Sequence, residues 1–234
     1  MRQKISVSWS GGKDSAMALY YVLNNPKYEV VSLHTVFDAD TKRVGMHGVH
    51  QSLISAQAGQ VGIALDKIYL PGSTNHSTYE EVITSYCEGL KKRGVTKIVY
   101  GDIFLEDLKN YRIRQLAKVG MEAIFPLWGR NTSELLATFW RLKFKTILCA
   151  GKATLFEEDK IGTELNEALV KSLPEEVDPC GENGEFHSFL IDAPYFNEPI
   201  KVQQRESVYR EYDAPNAKAE KVGFWFRELI LKIE

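Results

Sequence analysis

The sequence predicts an α/β protein whose first part is a doubly wound, mainly parallel sheet of five strands and whose second part is a smaller α+β unit. Three observations carry this. Strand-like and helix-like stretches alternate up to about residue 126 at the spacing of βαβ units, which lay their strands parallel. A Gly-Gly turn, Ser10-Gly11-Gly12-Lys13-Asp14-Ser15, joins the first strand to the first helix. After Pro126-Leu127-Trp128 the alternation gives way to shorter elements and a dense polar stretch around residue 180. The expected domains are therefore 1–126 and 127–234.

Lys4 to Trp9 alternates as a strand does, and Ala16 to Leu23 is a helix apolar on most faces. The adjacent glycines between them permit φ > 0 and a close approach of backbone to ligand. Consecutive N–H groups can then converge on an anion, helped by the positive end of the helix dipole. Ser10 and Ser15 add hydroxyls and Lys13 a cation, so the turn reads as a phosphate cradle. It has neither the Gly-x4-Gly-Lys-Ser/Thr spacing nor G-x-G-x-x-G.

Glu29 to Phe37 is the second strand. His34 to Phe37, at its carboxyl end, falls where ligands lie in open parallel sheets, with His34 expected to pack its ring and offer its backbone to a nucleotide base. Asp38 to Gly48 is a polar loop. His47 and His50 follow, three apart, at the expected start of a helix running to about Gln60, where one face would carry both. That spacing suits a metal, but with no carboxylate at ligand spacing a substrate-facing or hydrogen-bonding role is the expectation.

Lys67 to Leu70 is a third strand closed by Pro71, and Gly72 to Ser77 a loop into a helix from Thr78 to Arg93, where Thr78 and Glu81 have capping-box spacing. Thr96 to Tyr100 is a fourth strand running into Gly101-Asp102-Ile103. Gly101 stands where a nucleotide would need a residue without Cβ, and Asp102 either orients Mg²⁺ or caps the next helix. In that helix Arg112 and Arg114 are two apart and cannot share a face, so one of them reaches a phosphate. Glu122 to Phe125 is the fifth strand. Beyond it come a helix Thr132 to Lys143, a strand Thr146 to Cys149, a loop to Lys160, a helix Thr163 to Lys171, a strand Phe186 to Ile191 and a last strand Val222 to Ile233.

Composition bounds the partners. With 29 basic and 31 acidic residues the net charge is −2, so no global field draws the chain to nucleic acid or an anionic membrane. No apolar run is long enough to span a bilayer and no signal-peptide layout precedes the first strand, so a cytoplasmic protein is expected. Cys87, Cys149 and Cys180 are isolated, with no C-x-x-C, which weighs against disulfides, metal knuckles and sulfur transfer. Oligomerisation is left open.

The turn after the first strand closely resembles the PP-loop of the ATP pyrophosphatases, Rossmann-like proteins that hold the outer phosphates of ATP and release AMP and pyrophosphate. Taken in order, Ser10 to Ser15, Gly101-Asp102-Ile103, Arg112-Ile113-Arg114, Leu127-Trp128 with Arg130-Asn131 and Leu135-Leu136, and Cys180-Gly181-Glu182-Asn183-Gly184-Glu185 with His187, Phe189 and Asp192 resemble the diphthine–ammonia ligase family over essentially the whole chain. That resemblance implies an ATP-dependent amide ligase that adenylates a carboxylate and transfers ammonia to it. The acceptor it implies is diphthine, a modified histidine of elongation factor 2. ATP and Mg²⁺ are the implied cofactors, with Lys13 neutralising phosphate charge and Asp14 placing the metal. Glu182 and Glu185 would bind or deprotonate ammonium or grip a cationic acceptor, His187 would carry a proton, and His47, His50, Arg112, Asn183 and Gly184 would contact substrate. Two other readings remain: a PP-loop enzyme modifying transfer RNA, and a sensor that holds ATP without turnover.

Overall fold

The computed structural model describes residues 2–71, 76–213 and 221–232. In its first half β1 (Gln3–Ser8), α1 (Lys13–Leu23), β2 (Tyr28–Asp38), α2 (Gln51–Val61), β3 (Leu65–Leu70), α3 (His76–Lys92), β4 (Lys97–Val99), α4 (Glu106–Ala117) and β5 (Glu122–Ile124) alternate as expected. The strands pair in the order β3-β2-β1-β4-β5, and every pairing is parallel. Because β1 lies between β2 and β4, the chain winds outward in one direction and then in the other, and the strand order reverses beside β1. The loop expected from Gly72 falls mostly outside the described residues.

In the second half α5 (Thr132–Arg141), β6 (Lys145–Lys152), α6 (Glu167–Lys171), β7 (Phe186–Asp192), β8 (Val202–Asp213) and β9 (Lys221–Leu231) build an antiparallel sheet ordered β7-β6-β9-β8. The helix expected from Thr163 shrinks to Glu167–Lys171, because residues 163–165 pair with β6 instead. Leu148 donates to the Thr163 carbonyl and Leu165 to that of Thr146, both at 2.9 Å. The last strand ends at Leu231, and Ile233 lies outside the described residues.

One apolar cluster joins the halves. Ile5, Val7 and Leu33 of the parallel sheet and Leu19 of α1 share it with Phe139, Leu148, Phe186 and Phe189. Burying each such side chain is worth about 1.5–3 kcal/mol, so the contact between the two parts is a core and not a hinge surface. The other face of the parallel sheet has its own cluster, with Ile83, Cys87 and Leu90 of α3 against Ile98. Among the described residues no helix is long and apolar enough to cross a membrane.

Candidate active site at the strand-order switch

A cleft of about 260 Å³ opens at the carboxyl ends of β1 and β4, where the reversal of strand order separates the loops above the sheet. Ser8 and Ser10 come to it from β1 and the turn beyond, Tyr100 and Gly101 from the end of β4, and Arg112 from α4. The second half closes it with Glu182, Phe186, His187 and Ser188.

The turn is held from below. Gly11 has φ +81°, and its carbonyl accepts from Leu190 N–H at 2.8 Å and from Gln57 Nε2 at 3.0 Å. The same Gln57 amide donates to the Leu190 carbonyl at 2.7 Å and accepts from Trp9 Nε1 at 3.0 Å, tying β1, α2 and β7 together. A Cβ on Gly11 would stand 2.5 Å from Ile54 Cδ1 and 2.7 Å from Gln57 Oε1. Packing therefore demands this glycine as much as backbone angle does. Gly12 is the N-cap of α1 with no side-chain cap on the first turn, so the positive end of the helix opens to the cleft. Two of the expected amides are already used: Gly12 N–H donates to Ser10 Oγ at 3.3 Å and Lys13 N–H to Ser188 Oγ at 3.1 Å. Ser15 Oγ donates to the Gly12 carbonyl at 2.9 Å and meets Ser10 Oγ at 3.3 Å.

Lys13 is only 4% exposed, with Nζ on Asp14 Oδ2 at 2.7 Å and 5.4 Å above the Phe186 ring. Burial works against its charge, but Asp14 and Glu182 outweigh burial and hold its pKa above the ordinary lysine value. Asp102 neither caps α4, whose N-cap is Leu105, nor keeps a carboxylate oxygen free of Arg112. Arg112 Nε donates to its Oδ2 at 2.6 Å and Nη2 to its Oδ1 at 3.1 Å, while the guanidinium lies 4.2 Å over the Tyr100 ring. Gly101 lines the cleft and packs closely as well. The backbone it approaches is that of α1, for a Cβ there would be 2.8 Å from the Asp14 carbonyl carbon and 3.0 Å from Ser15 N.

From the polar loop of the second half, Glu182 reaches across the cleft and its Oε1 accepts from Ile103 N–H at 2.7 Å. Burial pushes its carboxyl up to about 7. Glu185 does not face the cleft. It is 4% exposed, and Oε1 accepts from Asp178 N–H at 3.1 Å and Asn183 Nδ2 at 3.0 Å, so it orders the loop that presents Glu182. Asn183 is spent on that bond, whereas Gly184 lines the cleft. His187 lines it, and burial, with His47 and Lys13, lowers its pKa well below the usual value, which favours the neutral imidazole.

The other histidines separate. His47 lies ahead of α2, in the cleft wall, with its ring centroid 4.6 Å from that of His187, and burial lowers its pKa to about 4. His50 is the N-cap of α2, its Nδ1 accepting from Ser52 N–H at 3.3 Å, outside the cleft. The shared helical face expected of the two is therefore absent. His34 packs beneath the sheet with Nδ1 2.8 Å from Ser6 Oγ, and its carbonyl accepts from Trp9 N–H, so neither ring nor carbonyl meets the cleft. Among the described residues no three His, Cys, Asp or Glu side chains gather as a metal cluster. Ser188 and Gln57 were missed in the sequence; a Gln inside an apolar helical stretch was the available signal.

A nucleotide-type α/β protein, with an anion-holding turn at the strand-order switch and an acidic loop brought over it from the far end of the chain, is the class these features define. The Diphthamide synthase N-terminal domain matches residues 3–123 and the Diphthamide synthase C-terminal domain residues 131–220. The chain belongs to the diphthamide synthase family. Among curated relatives, the diphthine–ammonia ligase of Rattus norvegicus is 30% identical over 47% of this chain, which spans 43% of that protein's length. That of Danio rerio is 24% identical over 88% of each. Of solved structures, a U34-tRNA thiolase from Methanococcus maripaludis with its [4Fe-4S] cluster aligns over 60% of this chain and 56% of its own, at TM-score 0.37 and 18% identity.

Proposed function

We propose that the chain is an ATP-dependent ligase that adenylates a carboxylate and transfers ammonia to it, releasing AMP and pyrophosphate in the cytoplasm, with a nucleotide-binding domain to residue 126 and an acceptor-binding domain beyond. The observation that carries this is the meeting of Lys13 and Glu182, from opposite ends of the chain, in one cleft. A carboxylate does not exchange its oxygen for ammonia at neutral pH. One of its oxygens must first attack the α-phosphorus of ATP as the bond to the β-phosphate breaks. Ser10, Gly11, Gly12 and Ser15 hold the departing pyrophosphate against the uncapped end of α1, and Lys13 neutralises its growing charge. Ammonia then attacks the acyl carbon, AMP leaves with the bonding electrons, and Glu182, titrating near 7, takes the surplus proton.

Mg²⁺ fits this donor set through Asp14. With both Asp102 oxygens on Arg112, Asp14 is the carboxylate to hold an ion carried chiefly by the phosphates, as Mg²⁺ sites commonly are. Its charge would favour departure of the pyrophosphate. The acceptor we propose is diphthine on elongation factor 2, with His47, Arg112 and Gly184 as the cleft residues that contact substrate. Incubation with ATP, Mg²⁺, ammonium and elongation factor 2 carrying diphthine tests the reading: AMP and pyrophosphate are expected, and ADP would refute it.

A further inference from the structure

A second, much smaller cavity adjoins the cleft. It lies between Met17 of α1 and Leu135, Leu136 and Phe139 of α5, with Leu127 and Cys180 completing the wall and the Lys13–Asp14 pair as its polar side. Both members of that pair also line the cleft, so they are the partition between the two spaces. The cavity has about 10 Å³ open to the centre of a water-sized molecule, room for one molecule of that size.

Its chemistry narrows the occupant. Cys180 donates its thiol proton to the Thr132 carbonyl at 3.4 Å, and burial raises its pKa, so it offers neither a nucleophile nor a charge. The remaining walls are hydrocarbon apart from the ion pair. A free cation would have to shed its water there at a cost of several kcal/mol, so a small neutral molecule with N–H donors for the Asp14 carboxylate is what such a space accepts. Resting on the ligase reading above, we infer that this cavity is the ammonia subsite, filled by neutral ammonia after ammonium has left its proton in solvent. From there ammonia passes the Lys13–Asp14 pair into the cleft, where its nitrogen lone pair attacks the acyl carbon of the adenylate. The C–N bond forms, the acyl C–O bond to AMP breaks, and one N–H proton passes to Glu182.

Size makes the inference testable, since one methyl group separates ammonia from methylamine, and methylamine is the stronger nucleophile, so reactivity alone would favour it. The full chain is supplied with ATP, Mg²⁺, elongation factor 2 carrying diphthine, and either ammonium chloride or methylammonium chloride at equal free base, and AMP and amide are measured. The wild type is expected to use methylamine less well than ammonia by roughly 10–200-fold, the range one methyl group commands in a fitted pocket. Leu135→Ala should restore methylamine use, and Leu136→Phe should raise the KM for ammonium while leaving the KM for ATP unchanged. The wild-type comparison stands alone if either variant does not fold. AMP formation with equal use of both amines overturns the subsite and leaves the ligase reading intact, whereas no AMP with either amine overturns both.

Discussion

Gly101→Ala is the substitution that most directly separates a glycine needed by the ligand from one needed by the fold. Its new Cβ would sit 2.8 Å from the Asp14 carbonyl carbon, 2.9 Å from that carbonyl oxygen and 3.0 Å from Ser15 N. These are backbone atoms in the first turn of α1 and cannot rotate aside, so β4 and α1 must part by several tenths of an ångström. Overpacking of this kind costs about 1–3 kcal/mol. For a chain of this length that corresponds to a fall in Tm of roughly 2–12 °C. Because the displaced turn carries Lys13, the KM for ATP should rise as well, by up to about 100-fold if the shift approaches 1 Å. Gly89→Ala is the matched control: a Cβ there meets nothing within 4 Å, and it lies inside α3, where alanine is favoured by about 1 kcal/mol. Thermal melts followed by circular dichroism, with ATP titrations on both variants, decide the matter. A Gly101→Ala protein that melts within a degree of the wild type and keeps its ATP affinity would show that the packing argument is wrong.

Glu182 should impose a pH dependence, with kcat/KM rising through about 7 as its carboxyl ionises; Glu182→Gln should erase that limb and lower the rate by roughly 10²–10⁴-fold. The stability sign is opposite. A carboxyl raised by burial favours the protonated fold, so its contribution is complete below the ordinary carboxylate range and lost as pH rises to about 7, and urea melts of Glu182→Gln should lack this decline. Glu185→Gln should keep most turnover, because an amide oxygen can accept from Asp178 N–H and Asn183 Nδ2 as Oε1 does; abolished turnover at unchanged Tm would return Glu185 to the chemistry. Gln57→Leu orphans Trp9 Nε1 and removes a donor from the Leu190 carbonyl. At about 1–3 kcal/mol for each buried group left unpaired, about 3 kcal/mol of stability should disappear, and a chemical denaturation midpoint unmoved by the change would contradict the role given to this residue.

The parallel sheet was legible in the sequence because its signals are local: alternating strands, Gly-Gly after β1, and Gly94 closing the helix before β4. The strand order was not, since nothing within β1 says which of β2 and β4 will flank it. Strand β8 escaped altogether. It is polar along much of Val202–Asp213, leaves Val208 and Tyr209 exposed, and pairs only with β9 among the described strands, so its backbone pairing is not advertised by an apolar face. In the site, the anion turn and the polar loop could be picked out, but the division of labour between Glu182 and Glu185 could not. Both are glutamates three apart on one loop, and only the fold sends one into the cleft and the other into the loop's own interior. His187 illustrates the same limit in its electrostatics, for an imidazole's ordinary pKa says nothing of a burial that keeps it neutral.

The way the turn is supported bears on why the two ends of the chain must act together. In a free-standing phosphate loop the first helical N–H groups all await the anion, yet here Lys13 N–H is bound to Ser188 and the Gly11 carbonyl to Leu190 N–H, both on β7. These bonds tie the turn to β7, the first of them from Ser188 in the cleft wall itself. Residue 186 on the same strand puts its ring beneath Lys13 Nζ, and Gly184 just before it enters the cleft wall. A single strand of the second half therefore both braces the anion turn and delivers the loop that carries Glu182. Under the proposed ligase reading, the groups assigned to phosphate and to proton transfer are thus both positioned through β7, which suits a two-stage transfer that depends on their separation.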